Sequence, residues 1–325
     1  MNQVQPLDPA TYKRHKIHDE SRTWIETNCY VDVLVELLHG LGYEPIAALP
    51  FTLGIDFEGD QWTFFKFPQE DLLALYGLEV QEFNPWRSLV GHVDKQLSLG
   101  RPVLVEMDSF FLPDTAGTAY KSFHEKSTIA INAIDIEQRK LGYFHGQSYY
   151  QLEGDDFTAL FQLDGLVHDR MLPPYIEYVK QRNVQAPLQG DALVTASEHI
   201  LRKHLRHIPQ ANPFNAFREA FADDFEWLLG EDIETFHQYS FATLRQYGAC
   251  FELVETYLQW LQEHGRPNLE GATAAFSSLA NTAKTFQFQL ARAMARKRAL
   301  DFAPIDAMAA SWQEGMNLLT DAYNK

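Results

Sequence analysis

The chain has only two cysteines in 325 residues, Cys29 and Cys250. Two cannot make the disulfide framework of a small secreted domain. Stability must come from burial, and a reducing cytoplasm is the expected setting. Positive charge is also scarce: 27 Lys and Arg stand against 44 Asp and Glu, a formal net charge of −17. That balance argues against nucleic acid or an anionic membrane as the main partner. No apolar run is long enough to span a bilayer. The opening Met1-Asn2-Gln3-Val4-Gln5-Pro6-Leu7-Asp8 lacks the basic and apolar parts of a signal peptide. There is no internal repeat and no low-complexity tract. What remains is a chain with 46% hydrophobic residues, enough for sizeable cores, and a length that suits two domains better than one.

The two halves read differently. In the first, helical and extended patterns mix. Strands are expected near Ala48–Ile55, over Asp60–Phe67 ahead of Pro68, over Pro102–Asp108 and over Ser127–Ile134, with Leu141–His145 as an antiparallel return. Short helices are expected over Gln69–Tyr76 and about Pro85–Leu99. The character changes after Pro173-Pro174 and the 183–190 stretch. From Asp191 the pattern is helical throughout, with helices near 191–207, 213–229, 231–264, 268–301 and 305–323, and a helical bundle follows. Asn212-Pro213 is a cap followed by proline at the first helical position. The expected domains are 1–175, mixed α+β, and 190–325, a helical bundle.

Cys29 stands out within the first half. From Tyr30, apolar residues fall at Val33, Leu34, Leu37, Leu38 and Leu41, the spacing of one helical face. Asn28 or Thr27 can cap this helix and Gly40 or Gly42 can end it. Cys29 thus falls in the first turn, beside unpaired backbone N–H groups and the positive end of the helix dipole. Both favour the thiolate, which is the nucleophile. The competing reading of a free cysteine is a small buried core residue.

A nucleophilic thiol needs a base, and the base needs an orienting group. His124 is the candidate base, since it follows a turn-rich loop and shortly precedes the Ser127–Ile134 strand. A surface-loop histidine is the competing reading. Asp135 is a carboxylate eleven positions further on, but along an extended strand it would lie on the order of 30 Å away, which suits it better to the turn. The return strand passes back beside the histidine end, and His145 and Gln147 are its polar residues there, so His145 is the second candidate for the orienting group. The Cys29 N–H, with the side chain of Asn28 or Thr23, would supply oxyanion donors.

These segments resemble a bacterial family catalogued only as a domain of unknown function. The resemblance lies in Asn28-Cys29-Tyr30, Asp56–Lys66, Gly100–Thr115 and Leu141–His145. More distantly, residues 20–165 resemble the papain-like domain of the butirosin-biosynthesis acyltransferase. The resemblance implies a papain-like fold in which a helix bears the cysteine and a strand the histidine. It also implies acyl or aminoacyl transfer from a carrier-protein thioester to an amine, with Cys29 as nucleophile and His124 as general base. No cofactor is implied. The chain departs from the pattern in two places: the family's histidine falls where Ser127 stands, and its acidic residue falls near His145. An acidic carrier protein would find two basic stretches, His199–His207 and Arg292–Arg298; solvated helix faces are their other reading.

Three rivals stand beside transfer. A cysteine amidase or peptidase would use the same residues with water as acceptor. Glu36-Leu37-Leu38-His39 and Glu234-Thr235-Phe236-His237 have the spacing found in carboxylate-bridged di-iron bundles. A non-catalytic binding module on a papain-like scaffold is the third.

Overall fold

In the computed structural model, residues 1–165, 174–182 and 187–323 are described. Pro173 and residues 183–186, which fall in the expected junction between the halves, lie outside them. The described chain divides into two compact units. The first comprises residues 1–19, 28–45 and 69–187, and the second 20–27, 46–68 and 188–325.

The first unit is built on a seven-stranded antiparallel sheet. Its strands are β1 (Asn2–Gln3), β2 (Leu78–Glu82), β3 (Val103–Asp108), β4 (Lys126–Asp135), β5 (Lys140–His145), β6 (Ser148–Glu153) and β7 (Ile176–Gln181). They run in the order β2-β7-β3-β4-β5-β6, with β1 paired to the far end of β4. The helices α1 (Cys29–Gly40) and α3 (Leu89–Ser98) cover the sheet, and α2 (Gln69–Tyr76) leads into β2. Alternation along β4 assigns its two faces. Ile129 and Ile131 join Val105 and Tyr143 in the core beneath Val90, Val93 and Leu97 of α3. Thr128 and Ala130 point the other way, toward α1.

Helix α1 starts and stops as its residues dictate. Asn28 Oδ1 accepts from Val31 N at 3.0 Å, which makes Asn28 the cap and Cys29 the first helical residue. The end is closed by Gly42 at φ +85°, in the left-handed region open to glycine. Gly40 serves differently: a Cβ there would come within 2.5 Å of the Phe144 ring, so its absence lets α1 approach β5 closely.

A buried polar clamp ties the chain's start to α1. His18 is fully buried between Glu36 (2.5 Å) and Asp32 (3.3 Å). Tyr12 OH donates to Glu36 at 2.5 Å, and the His15 amide donates to the same carboxylate at 3.0 Å. Burial works against a charged imidazole, but hydrogen bonds and charge from Asp32 and Glu36 outweigh it and raise the His18 pKa to about 9. Buried charge is tolerated when it is paired and hydrogen-bonded in this way.

The second unit is mostly helical: α5 (Gly190–Leu205), α6 (Pro213–Leu228), α7 (Ile233–Ser240), a π-helical turn (Phe241–Arg245), α8 (Gln246–Glu263), α9 (Glu270–Arg296) and α10 (Ala303–Tyr323). The short α4 (Asp155–Leu160) belongs to the first unit. Two expected strands are corrected here. Ala48–Ile55 lies largely in a 3-10 run, Pro45–Gly54, and Asp60–Phe67 forms only a bridge, Phe57 with Trp62. Pro50 cannot donate to a ladder, and the aromatic residues are drawn into helix packing instead. Trp62 stacks within 4.8–5.7 Å of Phe57, Phe214, Phe217 and Tyr247. Residues 20–27 are strapped to α8, where the Glu252 carboxylate accepts from Thr23 N and Trp24 N, both at 2.9 Å.

Candidate functional site

Cys29 and Cys250 have opposite surroundings. Cys250 is fully buried on α8, its Sγ 3.3 Å from Thr52 O, and burial pushes its thiol pKa well up. Cys29 is half-buried at the N-terminus of α1, with its Sγ 3.6 Å from Thr128 Oγ1. Only the second has the partial exposure and helix-start position that mark reactive thiols.

Register defines what else shares the Cys29 side of the sheet. Glu106 lies opposite Thr128 and Asp108 opposite Lys126. Directly opposed residues share a face, as do residues two apart on one strand, so all four point toward the α1 side. Lys126 Nζ bonds Glu106 at 2.9 Å. Desolvation works against the Lys126 ammonium, but the Glu106 hydrogen bond and the electrostatic influence of Cys29 and Glu106 outweigh it and hold its pKa above the usual lysine range.

His124 is tied to this group through Asp108, whose carboxylate receives its Nδ1 at 2.6 Å. The imidazole stacks on Phe110 with ring centres 4.4 Å apart, and its side chain is 68% exposed. Asp108 sits two residue pairs beyond Thr128 along the ladder, roughly 7 Å of strand. The structure therefore brings His124 to the same face and strand end as Cys29, with Asp108 as its partner, while Thr128 is the thiol's polar neighbour.

The remaining expected residues are engaged elsewhere. Asp135 is at the opposite end of β4, accepts from Gln138 N at 3.0 Å and pairs with the Met1 ammonium at 3.5 Å. Its pKa is lowered, first by the Gln138 hydrogen bond. It is a turn residue and does not orient His124. His145 does not orient His124 either. It lies opposite Ile129 and so faces the α3 side, where its Nδ1 meets Asp114 and its Nε2 meets Ser127. Thr23 lies in the second unit, its amide on Glu252 and its hydroxyl 3.1 Å from Asn281. Asn28 Oδ1 is committed to the cap. Glu36 of the first di-iron spacing is engaged by His18 and Tyr12, and His39 Nε2 lies 3.0 Å from Lys13 O. Among the described residues no group of three or more His, Cys, Asp or Glu is placed to hold a metal.

Sequence reasoning missed Lys126, Glu106 and Asp108. Their signal was register: the loop between β3 and β4 had to be counted before Asp108 could be set opposite Lys126, and nothing in the loop's composition gives that count.

A mixed α+β unit with a half-buried thiol at a helix start, followed in the chain by a helical unit, is the class these observations define. Compared with family models, residues 13–181 match the DUF1839 N-terminal domain and residues 190–321 the DUF1839 C-terminal domain. The chain belongs to this family, a domain of unknown function. No curated protein matches it. No helix among the described residues is long and apolar enough to cross a membrane.

Proposed function

We propose that the first unit is a papain-like acyltransferase that carries an acyl or aminoacyl group on Cys29, from a thioester donor to an amine acceptor. The supporting observation is the placement of a half-buried thiol at the capped start of α1, with Lys126 and the His124–Asp108 pair on the same sheet face. His124 takes the Cys29 thiol proton as Sγ attacks the thioester carbonyl; the new C–S bond forms as the donor's C–S bond breaks, and the proton passes from His124 to the departing sulfur, so the donor leaves as a thiol. The amine then attacks the Cys29 thioester, its nitrogen loses a proton to His124, and that proton returns to the departing Cys29 sulfur. Asp108 orients His124 and stabilises its charged form. A thioester donor asks little of the base, because its leaving thiolate is already stable. A carrier protein is the proposed source of the donor.

A second reading, a binding module on the same scaffold, is favoured by one observation: Thr128 rather than an imidazole is the thiol's polar neighbour.

The test is the rate of Cys29 alkylation against pH, read by intact mass, in wild type and His124→Ala. Transfer predicts fast modification persisting well below the ordinary thiol range near pH ~8.5, slowed at least ~10-fold in the variant. An ordinary thiol profile, unchanged by the substitution, overturns the transferase and leaves the binding module.

A further inference from the structure

Ser127 is the neighbour of Thr128 on β4 and points to the opposite face. It lies opposite Met107, in the core beneath α3, and is itself partly exposed. Its Oγ is 2.6 Å from His145 Nε2. The other ring nitrogen, Nδ1, is 2.5 Å from Asp114 Oδ2. Asp114 Oδ1 accepts from Tyr143 OH, also at 2.5 Å. The side chains of His145 and Asp114 are 11% and 5% exposed. Burial and the Asp114 charge hold the Tyr143 pKa far above the usual range, so the phenol stays a donor.

The order of atoms gives this chain chemical meaning. A carboxylate on Nδ1 fixes the ring proton there and leaves Nε2 to accept the serine hydroxyl proton. Asp114 can stabilise the imidazolium that results, and Tyr143 keeps the carboxylate aimed. That is the geometry by which a hydroxyl becomes a nucleophile, recognised by roles rather than by position in a sequence. Asp114 comes from the 3-10 turn Pro113–Thr115, held by Thr115 Oγ1 on Ser109 O (3.0 Å) and Leu112 O (2.9 Å). His145 ends β5 just before a tight turn at Gly146, φ +48°.

We infer that Ser127, His145 and Asp114 form a second nucleophilic centre, a serine esterase triad acting on activated carboxylic esters and distinct from the Cys29 site. Ser127 Oγ bonds to the carbonyl carbon, its proton moves to His145 Nε2, and the ester C–O bond breaks as that proton passes to the leaving alcohol. Water then attacks the acyl-serine. Its proton goes to Nε2 and from there to Ser127 Oγ, releasing the acid. The inference does not depend on Cys29.

The test is labelling of the full chain with an alkyl fluorophosphonate, which phosphonylates activated serines, followed by peptide mapping. The expected adduct is on Ser127 in wild type, and it falls at least ~10-fold in His145→Gln and in Asp114→Asn. In a Cys29→Ala background, hydrolysis of p-nitrophenyl acetate should persist and be lost when Ser127→Ala is added. Mapping in wild type guards against variants that fail to fold. Absence of a Ser127 adduct, when a standard serine hydrolase labels to completion alongside, overturns the triad. So does a Ser127 adduct undiminished in a folded His145→Gln. Neither result bears on Cys29, whose alkylation is read separately.

Discussion

Two adjacent residues on β4 separate two differently built polar groups. Thr128 faces α1 and sits under the Cys29 thiol, with Lys126, Glu106 and the His124–Asp108 pair arrayed beside it. Ser127 faces α3 and is hydrogen-bonded in one continuous chain through His145 to Asp114. The first face has a thiol at a helix start with Lys126 on the same side of the sheet, but its imidazole is held by Asp108, two residue pairs along the ladder from Thr128. The second has its imidazole hydrogen-bonded directly to the Ser127 hydroxyl. Activation of a nucleophile can come from charge or from a bonded base, and the strand's period-2 alternation sends Thr128 and Ser127 to opposite faces.

The largest expected effect isolates the first face. Cys29→Ala should lower thioester-to-amine transfer by about 10³-fold or more, measured as amide formed per unit time. Retained transfer would move the reaction off that face altogether. Next comes the clamp that ties the chain's start to α1. His18→Ala leaves Asp32 and Glu36 buried without their cation and should cost about 3–5 kcal/mol of stability in urea unfolding. The same clamp is pH-dependent. Because the folded-state pKa of His18, about 9, lies above its ordinary 6.5, its stabilisation is fully present below about pH 6.5 and is lost as pH rises through about 9. Wild-type stability should therefore fall over that window, and the gap between wild type and His18→Ala should narrow. A gap that widens with pH would reverse the assigned sign. The smallest effect is at the cap: Asn28→Ala should cost about 1 kcal/mol and slow Cys29 alkylation by a few-fold, leaving the rest of the α1 contacts in place.

Much of the scaffold was legible. The i, i+3, i+4 stripe from Val33 to Leu41, with a cap at Asn28 or Thr27 and an end at Gly40 or Gly42, placed α1 almost to the residue, and the structure selects Asn28 as the cap. The strands expected over Pro102–Asp108, Ser127–Ile134 and Leu141–His145 from apolar runs bounded by turn residues are found as Val103–Asp108, Lys126–Asp135 and Lys140–His145. The π-helical turn at Phe241–Arg245 divides what read as one long helix over 231–264, because a single inserted turn barely disturbs an apolar stripe. Residues 20–27 and 46–68 were not legible as part of the helical unit, since packing against Glu252 or the Trp62 cluster leaves no local period to read. The site was harder still. His124 was placed at the correct strand end, but its partner Asp108 and the Ser127–His145–Asp114 chain depend on which residues face one another across β3, β4 and β5. The side-chain period of two means that one residue of register decides whether His145 looks toward Cys29 or away from it. It looks away, toward Ser127.

The most direct test of the central claim is to incubate the wild-type chain with an aminoacyl N-acetylcysteamine thioester, quench in acid and map the adduct by peptide mass. The account predicts an aminoacyl group on Cys29 that disappears when an amine acceptor is added. A chain that stays unmodified at Cys29 while the donor is in excess would contradict it.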